Sequence, residues 1–140
     1  MLSRIGGVAG LALCACLCFA APALAHHSFA GAFDDSKELS VTGTLSKVAW
    51  VNPHAYYEVV VPGANGATTT WTFENFPPEM LRRLGFTRTM MTDNIGKKVT
   101  VLYNPAHKQG HPFGYGRVFK FEGGKEIIFT NRGEAPSGAN

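Results

Sequence analysis

Residues 38–61 carry the strongest indication of the fold and read ELSVTGTLSKVAWVNPHAYYEVVV. From Leu39 to Leu45, apolar residues and one glycine alternate with polar residues, which is typical of a strand with one buried face. The apolar register then slips by one residue before Val48. A slip of this kind close to a glycine predicts a β-bulge or a sharp coil inside one long strand. A first strand that bends in this way can belong to two sheets of a small barrel.

The rest of the chain continues this pattern of short strands. Proline cannot donate to a strand ladder, so Asn52-Pro53-His54 ends the first strand, predicted at 38–51. Further strands are predicted at 55–61, 68–74, 97–103, 115–122 and 126–130. One short helix is predicted from Pro77 to a stop at Gly85. Residues 86–94 are interpreted as irregular, with room for one more helical turn.

This order of elements predicts a mainly β fold. Three strands, a helix and then two or three strands, with a coiled first strand, is the order of an OB-type barrel. We therefore expect a small OB-like antiparallel barrel of five to six strands, with one short helix between strands 3 and 4. A generic small antiparallel barrel or sandwich is the alternative.

Residues 1–25 have the three parts of an export signal: a positively charged start, an apolar run and a small-residue cleavage site. We predict cleavage between Ala25 and His26, which places the mature protein in a bacterial periplasm or outside the cell. An uncleaved membrane anchor and a lipoprotein are the alternatives. The expected division of the chain is a signal peptide at 1–25, an N-terminal arm at 26–37, a β-barrel domain at 38–131 and a flexible tail at 132–140.

Composition narrows the chemistry available to the mature chain. All three cysteines (Cys14, Cys16 and Cys18) lie in the segment predicted to be removed, so no thiol remains for a disulfide, a cysteine-zinc site or a nucleophile. The 13 Lys and Arg residues exceed the 10 Asp and Glu residues by three, and removal of Arg4 lowers this excess to two. Nucleic-acid binding usually needs a concentrated basic stripe. We therefore expect no nucleic-acid partner, and we do not expect an integral membrane protein.

The histidines are the most informative polar residues, because none of them lies in a predicted strand or helix. His54 follows the first strand, and His107 and His111 lie in the loop after the fourth. An OB-like barrel places these two loops at the same end. Tyr56 and Tyr57 point to opposite faces of the second strand, so one of them faces outward and can stack on a planar ligand. The predicted ligand-binding residues are Asn52, His54, Tyr56, Tyr57, His107 and His111.

A metal site is a sharper hypothesis built on the same histidines. Cleavage before His26 would give this residue a free α-amine beside its imidazole, and nitrogen-rich sites of this kind prefer copper or zinc. The predicted metal ligands are drawn from His26, His27, His54, His107 and His111. The opposing interpretation is that these histidines are solvated surface residues or turn caps. Distance is an obstacle, since residues 28–37 must double back along the barrel before His26 can reach His54.

No catalytic motif is recognisable in the sequence, and we expect no enzymatic activity. Glu58 and Glu74 on the second and third strands could pair as carboxylates, but exposed strand glutamates are usually solvating residues, and we interpret them in that way. The aromatic residues predicted to fill the core are Trp71, Phe73, Phe119 and Phe121.

Five motifs together indicate a family. They are His26-His27-Ser28-Phe29, Val41-x-Gly43, Trp50-x-Asn52-Pro53-His54, Trp71-x-Phe73-Glu74 and Leu81-x-x-Leu84-Gly85-Phe86. On these residues the chain resembles an uncharacterised family of small exported bacterial proteins, over residues 26–130. It departs from that pattern at 92–97, where a Lys-Pro-Gly-Asp turn would be typical. The resemblance implies a small, exported, β-rich protein and no assigned activity.

The leading functional prediction is an exported, non-enzymatic binding or accessory module whose site lies at the loop end. A copper- or zinc-binding protein that uses His26 is the first alternative. A structural partner of an envelope complex, binding through an exposed strand edge, is the second. The expected partner is accordingly a small molecule, a metal ion or an envelope protein.

Overall fold

The computed structural model describes residues 29–108 and 110–129, and this part of the chain is mainly β. Its strands are β1 (Leu39–Trp50), β2 (Ala55–Pro62), β3 (Thr68–Glu74), β4 (Lys98–Pro105), β5 (Phe113–Phe121) and β6 (Glu126–Ile128). Its α-helices are α1 (Phe29–Ala32), α2 (Pro78–Arg83) and α3 (Arg88–Thr92), and a 3-10 turn spans Ala64–Gly66. None of the described helices has the length and apolarity needed to cross a membrane. The predicted signal peptide, His26, His27 and the predicted tail lie outside the described residues.

The sheet closes into a barrel through one parallel pairing. The strand order is β3-β2-β1-β4-β5-β6, and β3 also pairs with β5, with Phe73 beside Gly114. A ring of five strands cannot alternate in direction all the way round, so one neighbouring pair has to be parallel. The prediction of a small OB-like barrel is confirmed, with β6 as an extra strand beside β5. The expectation of a purely antiparallel barrel is corrected at the β3–β5 pair.

Strand β1 is irregular at the predicted place and pairs with two neighbours. Its first half pairs with β4, from Leu39 beside Tyr103 to Thr44 beside Lys98, and its second half pairs with β2. The register with β2 shifts between Leu45 and Lys47. This bulge confirms the predicted irregularity, and the added bend lets one strand serve both sides of the barrel.

Strands β4 and β5 extend further towards their shared loop than predicted. Asn104 pairs with Tyr115 and Pro105 pairs with Gly114, so the loop contracts to residues 106–112. Pro105 is the last residue of β4, so its missing N–H interrupts no strand ladder beyond it.

Two helices, rather than the one predicted, connect β3 to β4. The first ends as expected, since Gly85 has a φ of 85° and Phe86 N–H donates to the Leu81 carbonyl at 2.8 Å. The second, α3, begins where the sequence was interpreted as irregular. Its N-cap is Thr87, whose side chain accepts a hydrogen bond from the backbone N–H of Met90 at 3.4 Å. The cap satisfies one of the backbone N–H groups at the start of α3 that have no partner within the helix.

The barrel interior is filled by aromatic and branched side chains. Of the aromatic residues predicted to be in the core, Phe73, Phe119 and Phe121 are buried. Trp71 is half-buried and stacks on Phe73, with ring centroids 6.0 Å apart. The prediction is therefore confirmed for Phe73, Phe119 and Phe121, whereas Trp71 packs against the core from its edge. The largest fully buried apolar side chains are Tyr57, Phe73, Phe119, Phe129, Leu45, Leu81 and Met91.

Gly43 marks the closest approach of β1 to β2, and we expect Gly43→Ala to destabilise the barrel. A Cβ at this position would lie 2.8 Å from Cγ1 of Val59 and closer still to the carbonyl oxygen of Val60. Overpacking of this kind lowers the free energy of unfolding by about 1–3 kcal/mol, which urea denaturation would measure. The matched control is Gly110→Ala, where an added Cβ meets no heavy atom within 4 Å. Equal stability of the two variants would contradict the prediction.

Candidate functional site

The N-terminal arm, described here over residues 29–37, folds back across one end of the barrel. Asp34 N–H donates to the Pro105 carbonyl at 2.9 Å, and His107 N–H donates to the Ala32 carbonyl at 3.0 Å. Phe33 also forms an isolated antiparallel bridge with Ala106. The arm therefore makes the reversal that the sequence left open, and it lies against the β4–β5 loop.

Residues 34–37 form a compact turn where the arm joins β1. The Asp34 carboxylate accepts a hydrogen bond from the Ser36 hydroxyl at 2.5 Å and lies 2.7 Å from the Lys37 ammonium. These two contacts lower the pKa of Asp34 to about 2, with Lys37 as the larger cause. The buried side chain of Asn104 donates to the Lys37 carbonyl at 2.7 Å. The turn thus ties the arm to the end of β4.

A cavity of about 430 Å³ lies between the arm and the barrel. It is lined by Phe29, Ala32, Phe33, His54, Glu74, Asn75, Phe76 and Tyr115. Three phenylalanine rings surround Tyr115, at centroid distances of 4.9 Å (Phe29), 5.6 Å (Phe33) and 5.8 Å (Phe76). An apolar, aromatic cavity with a few polar groups is the usual form of a small-molecule site.

His54 has one ring nitrogen engaged by the barrel. Its Nδ1 lies 3.0 Å from the Asn75 carbonyl and 3.0 Å from Oε1 of Glu74. A backbone carbonyl can only accept, so Nδ1 carries the proton and donates to Asn75. In the neutral ring this leaves the lone pair on Nε2, which can accept a hydrogen bond from a ligand or bind a metal ion.

Glu74 is the carboxylate of the cavity, and its side chain is 19% exposed. Burial raises the pKa of Glu74 above its ordinary value, and the neighbouring His54 opposes the rise. Tyr115 is buried in the same wall, and its hydroxyl has no hydrogen-bond partner among the described residues. The interpretation of Glu74 as a solvating strand residue is therefore corrected, because the arm and the β1–β2 loop cover it.

Asn75, which directly follows β3, is hydrogen-bonded to β5 and to the start of β2, and we call this part of the barrel the corner. It is fully buried, its side-chain amide donates to the Gly116 carbonyl at 2.7 Å, and its Oδ1 accepts from Phe76 N–H at 2.8 Å. Its backbone N–H donates to the Ala55 carbonyl at 2.9 Å. Asn75 therefore positions the site, because its side-chain amide and its Oδ1 each bind a backbone group of the barrel.

A second cavity, of about 350 Å³, adjoins the first and shares Glu74 with it. Its lining includes His107, Lys108 and Phe113. His107 Nε2 donates to the Ala30 carbonyl at 3.0 Å, so this imidazole holds the arm in place. The predicted convergence of the two loops is found here, since both flank Glu74.

The remaining sequence-predicted ligand residues lie outside the two cavities. Tyr56 is half-buried, with its ring centroid 6.5 Å from that of His54. His111 is exposed and meets the ring of Phe113 edge-on at 5.5 Å, and Asn52 is exposed. Tyr57 is corrected as a ligand residue, because strand alternation turns its side chain into the barrel core.

The predicted metal ligands lie partly inside and partly outside the described residues. Residues 29–108 and 110–129 contain no group of three or more His, Cys, Asp or Glu side chains placed to hold a metal ion. The imidazoles of His54, His107 and His111 therefore do not form a three-ligand site by themselves. His26 and His27, the other predicted ligands, lie outside the described residues.

Sequence reasoning missed most of the cavity wall. The missed residues are Phe29, Ala32, Phe33, Glu74, Asn75, Phe76 and Tyr115. Five of them are apolar or aromatic, and alternation places Glu74 on the outer face of β3, so their pattern indicates only a core or a solvated surface. The one usable signal was the presence of Phe29, His54 and Glu74 in the motifs that carry the family resemblance.

Comparison with known proteins agrees with that resemblance. A family model described as a family of unknown function (DUF6152) matches residues 14–115, which is more than half of the chain. No curated protein and no solved structure shows a significant match.

The raised pKa of Glu74 leads to a prediction about stability. The folded protein binds a proton at Glu74 more tightly than the unfolded chain, whose ordinary value is 4.5, so this group's contribution to stability falls as pH rises through the folded pKa. We expect Glu74→Gln to unfold at higher urea than the wild type at about pH 8, and the difference to shrink at about pH 4, where both side chains are neutral.

The control for this pH dependence is Glu58→Gln on the adjacent strand. Glu58 forms an ion pair with Lys47 at 2.8 Å, so its neutralisation is not expected to raise stability at high pH. A Glu74→Gln variant that is no more stable than the wild type at about pH 8 would show that the folded protein stabilises the ionised carboxylate.

Proposed function

We propose that this chain, which belongs to DUF6152, a family of unknown function, is an exported, non-enzymatic binding module for a small ligand. The site is the cavity between the arm and the barrel. The observation that carries the proposal is the combination of about 430 Å³ of largely apolar space with one carboxylate and one oriented imidazole on its wall. Such a space accepts an apolar body, and the two polar groups orient it.

Export is part of the proposal and rests on the sequence. Residues 1–25 carry the pattern of a cleavable signal, and cleavage after Ala25 leaves the arm as the start of the mature protein. The mass of the purified protein after expression of the full chain in a bacterium identifies its N-terminus. A protein that begins at His26 in the periplasmic fraction supports export, and a cytoplasmic protein that retains residues 1–25 contradicts it.

A neutral aromatic probe, benzyl alcohol, tests binding in the cavity. We expect its titration to shift the backbone amide NMR signals of Phe33, Glu74 and Phe76. Ala32→Trp places a large ring on the cavity wall and should weaken the binding at least about tenfold. Ala64→Trp, on the exposed turn after β2, is the matched control and should bind as the wild type does. Shifts that are absent, or that persist in Ala32→Trp, contradict the proposed function.

A copper or zinc site is the second candidate, and the held Nδ1 of His54 favours it. Metal-binding histidines usually donate their other ring N–H to a carboxylate or a backbone carbonyl, as His54 does to Asn75. Phe29 lines the same cavity, and three residues of extended chain span roughly 10 Å. After the proposed cleavage, His26 could therefore supply its α-amine and imidazole next to His54.

A Cu(II) titration followed by EPR tests this candidate on the processed protein. We expect one-to-one binding that is lost in His54→Ala and lost when one glycine is inserted between Ala25 and His26. His111→Ala is the control, because this exposed side chain lies against Phe113 outside the cavity. Binding no tighter than that of a free histidine peptide, or binding that survives both changes, contradicts the metal site.

A further inference from the structure

We infer that the ligand of the arm cavity carries an alkylated ammonium group, an inference that rests on the proposed binding function. The first reason is the shape and chemistry of the wall. The rings of Phe29, Phe33 and Phe76 surround that of Tyr115 at centroid distances of 4.9 to 5.8 Å. The faces of aromatic rings attract cations, and clusters of such rings recognise quaternary ammonium groups, whose methyl groups also suit an apolar cavity.

The second reason is that Glu74 has no permanent cation beside it among the described residues. The other carboxylates that form ion pairs there each lie within 3.3 Å of a lysine or arginine nitrogen: Asp34, Glu38, Glu58, Glu79 and Glu126. Glu74 faces His54 instead. Lys108 lines the adjoining cavity with Glu74 but forms no ion pair with it among the described residues. A half-buried carboxylate in this situation attracts a cationic ligand.

The third reason is that Glu74 is the one carboxylate among the described residues that line the cavity. The Asn75 amide is engaged by Gly116 and Phe76, and His54 carries no negative charge in either of its protonation states. Glu74 therefore presents the negative charge of the cavity. Alkylation also weakens the hydration of an ammonium group, which lowers the cost of moving it from water into an apolar space. An alkylated ammonium consequently fits this wall better than a lysine-like amine does.

A comparison of the affinities of choline and of its neutral isostere 3,3-dimethylbutan-1-ol separates the effect of the ligand's charge from the effect of its shape. The full chain is expressed and the processed protein is titrated by calorimetry. Choline should bind at least about tenfold more tightly than the alcohol. Glu74→Gln should remove this preference while the alcohol still binds. Glu58→Gln, whose carboxylate is paired with Lys47, should keep the preference. A second experiment with phosphatidylcholine vesicles distinguishes a lipid headgroup from a free ligand with the same chemistry.

The possible outcomes distinguish the ammonium inference from the proposed binding function. Tighter binding of choline than of the alcohol, or binding to the vesicles that is lost in Glu74→Gln, supports the ammonium inference. Equal affinity for choline and the alcohol, or a preference that survives Glu74→Gln, overturns the inference and leaves the cavity as a site for apolar molecules. Failure of both compounds and of the vesicles overturns the inference, and the proposed binding function falls with it only when benzyl alcohol also fails to bind.

Discussion

The parallel pairing of β3 with β5 is the contact on which the rest of the structure depends. It closes the five-stranded ring and sets Glu74, at the end of β3, beside Tyr115, near the start of β5. Asn75 then secures the corner, because its buried amide donates to Gly116, 41 residues further along the chain. The imidazole of His54 is held on the same corner by the Asn75 carbonyl. A chain without this pairing would have an open sheet and would not place Glu74 beside Tyr115.

The arm gives the closed barrel a concave surface. The interior of the barrel is packed with side chains such as Tyr57, Phe73 and Phe119 and leaves no room for a ligand there. The space arises outside the barrel, where the rings of Phe29 and Phe33 lie across Tyr115. Backbone hydrogen bonds to the last residue of β4 and to the β4–β5 loop keep the arm in place. The packed core and the cavity thus occupy separate parts of one small chain.

The partial burial of the Glu74 carboxylate, at the end of β3, is not explained by the stability of the fold. Burial raises the pKa of Glu74, so its ionised form opposes folding, and a neutral side chain would serve the barrel better. Groups that break a local rule in this way are concentrated at functional sites. The oriented imidazole of His54 and the aromatic wall surround this one group. We therefore regard Glu74 as the centre of the proposed site.

Local pattern was sufficient for much of the fold: the strand alternation, the bulge near Leu45, the helix stop at Gly85 and the position of His54 in a loop. Such features depend on residues close together in sequence, where alternation, glycine and proline act directly. Tertiary structure alone decided the return of the arm and the neighbours of Glu74. Alternation with the buried Phe73 marks Glu74 as outward-facing, and a strand's own sequence carries no information on which distant segment covers its outer face. That information arises only when β3 meets β5 and the arm crosses both.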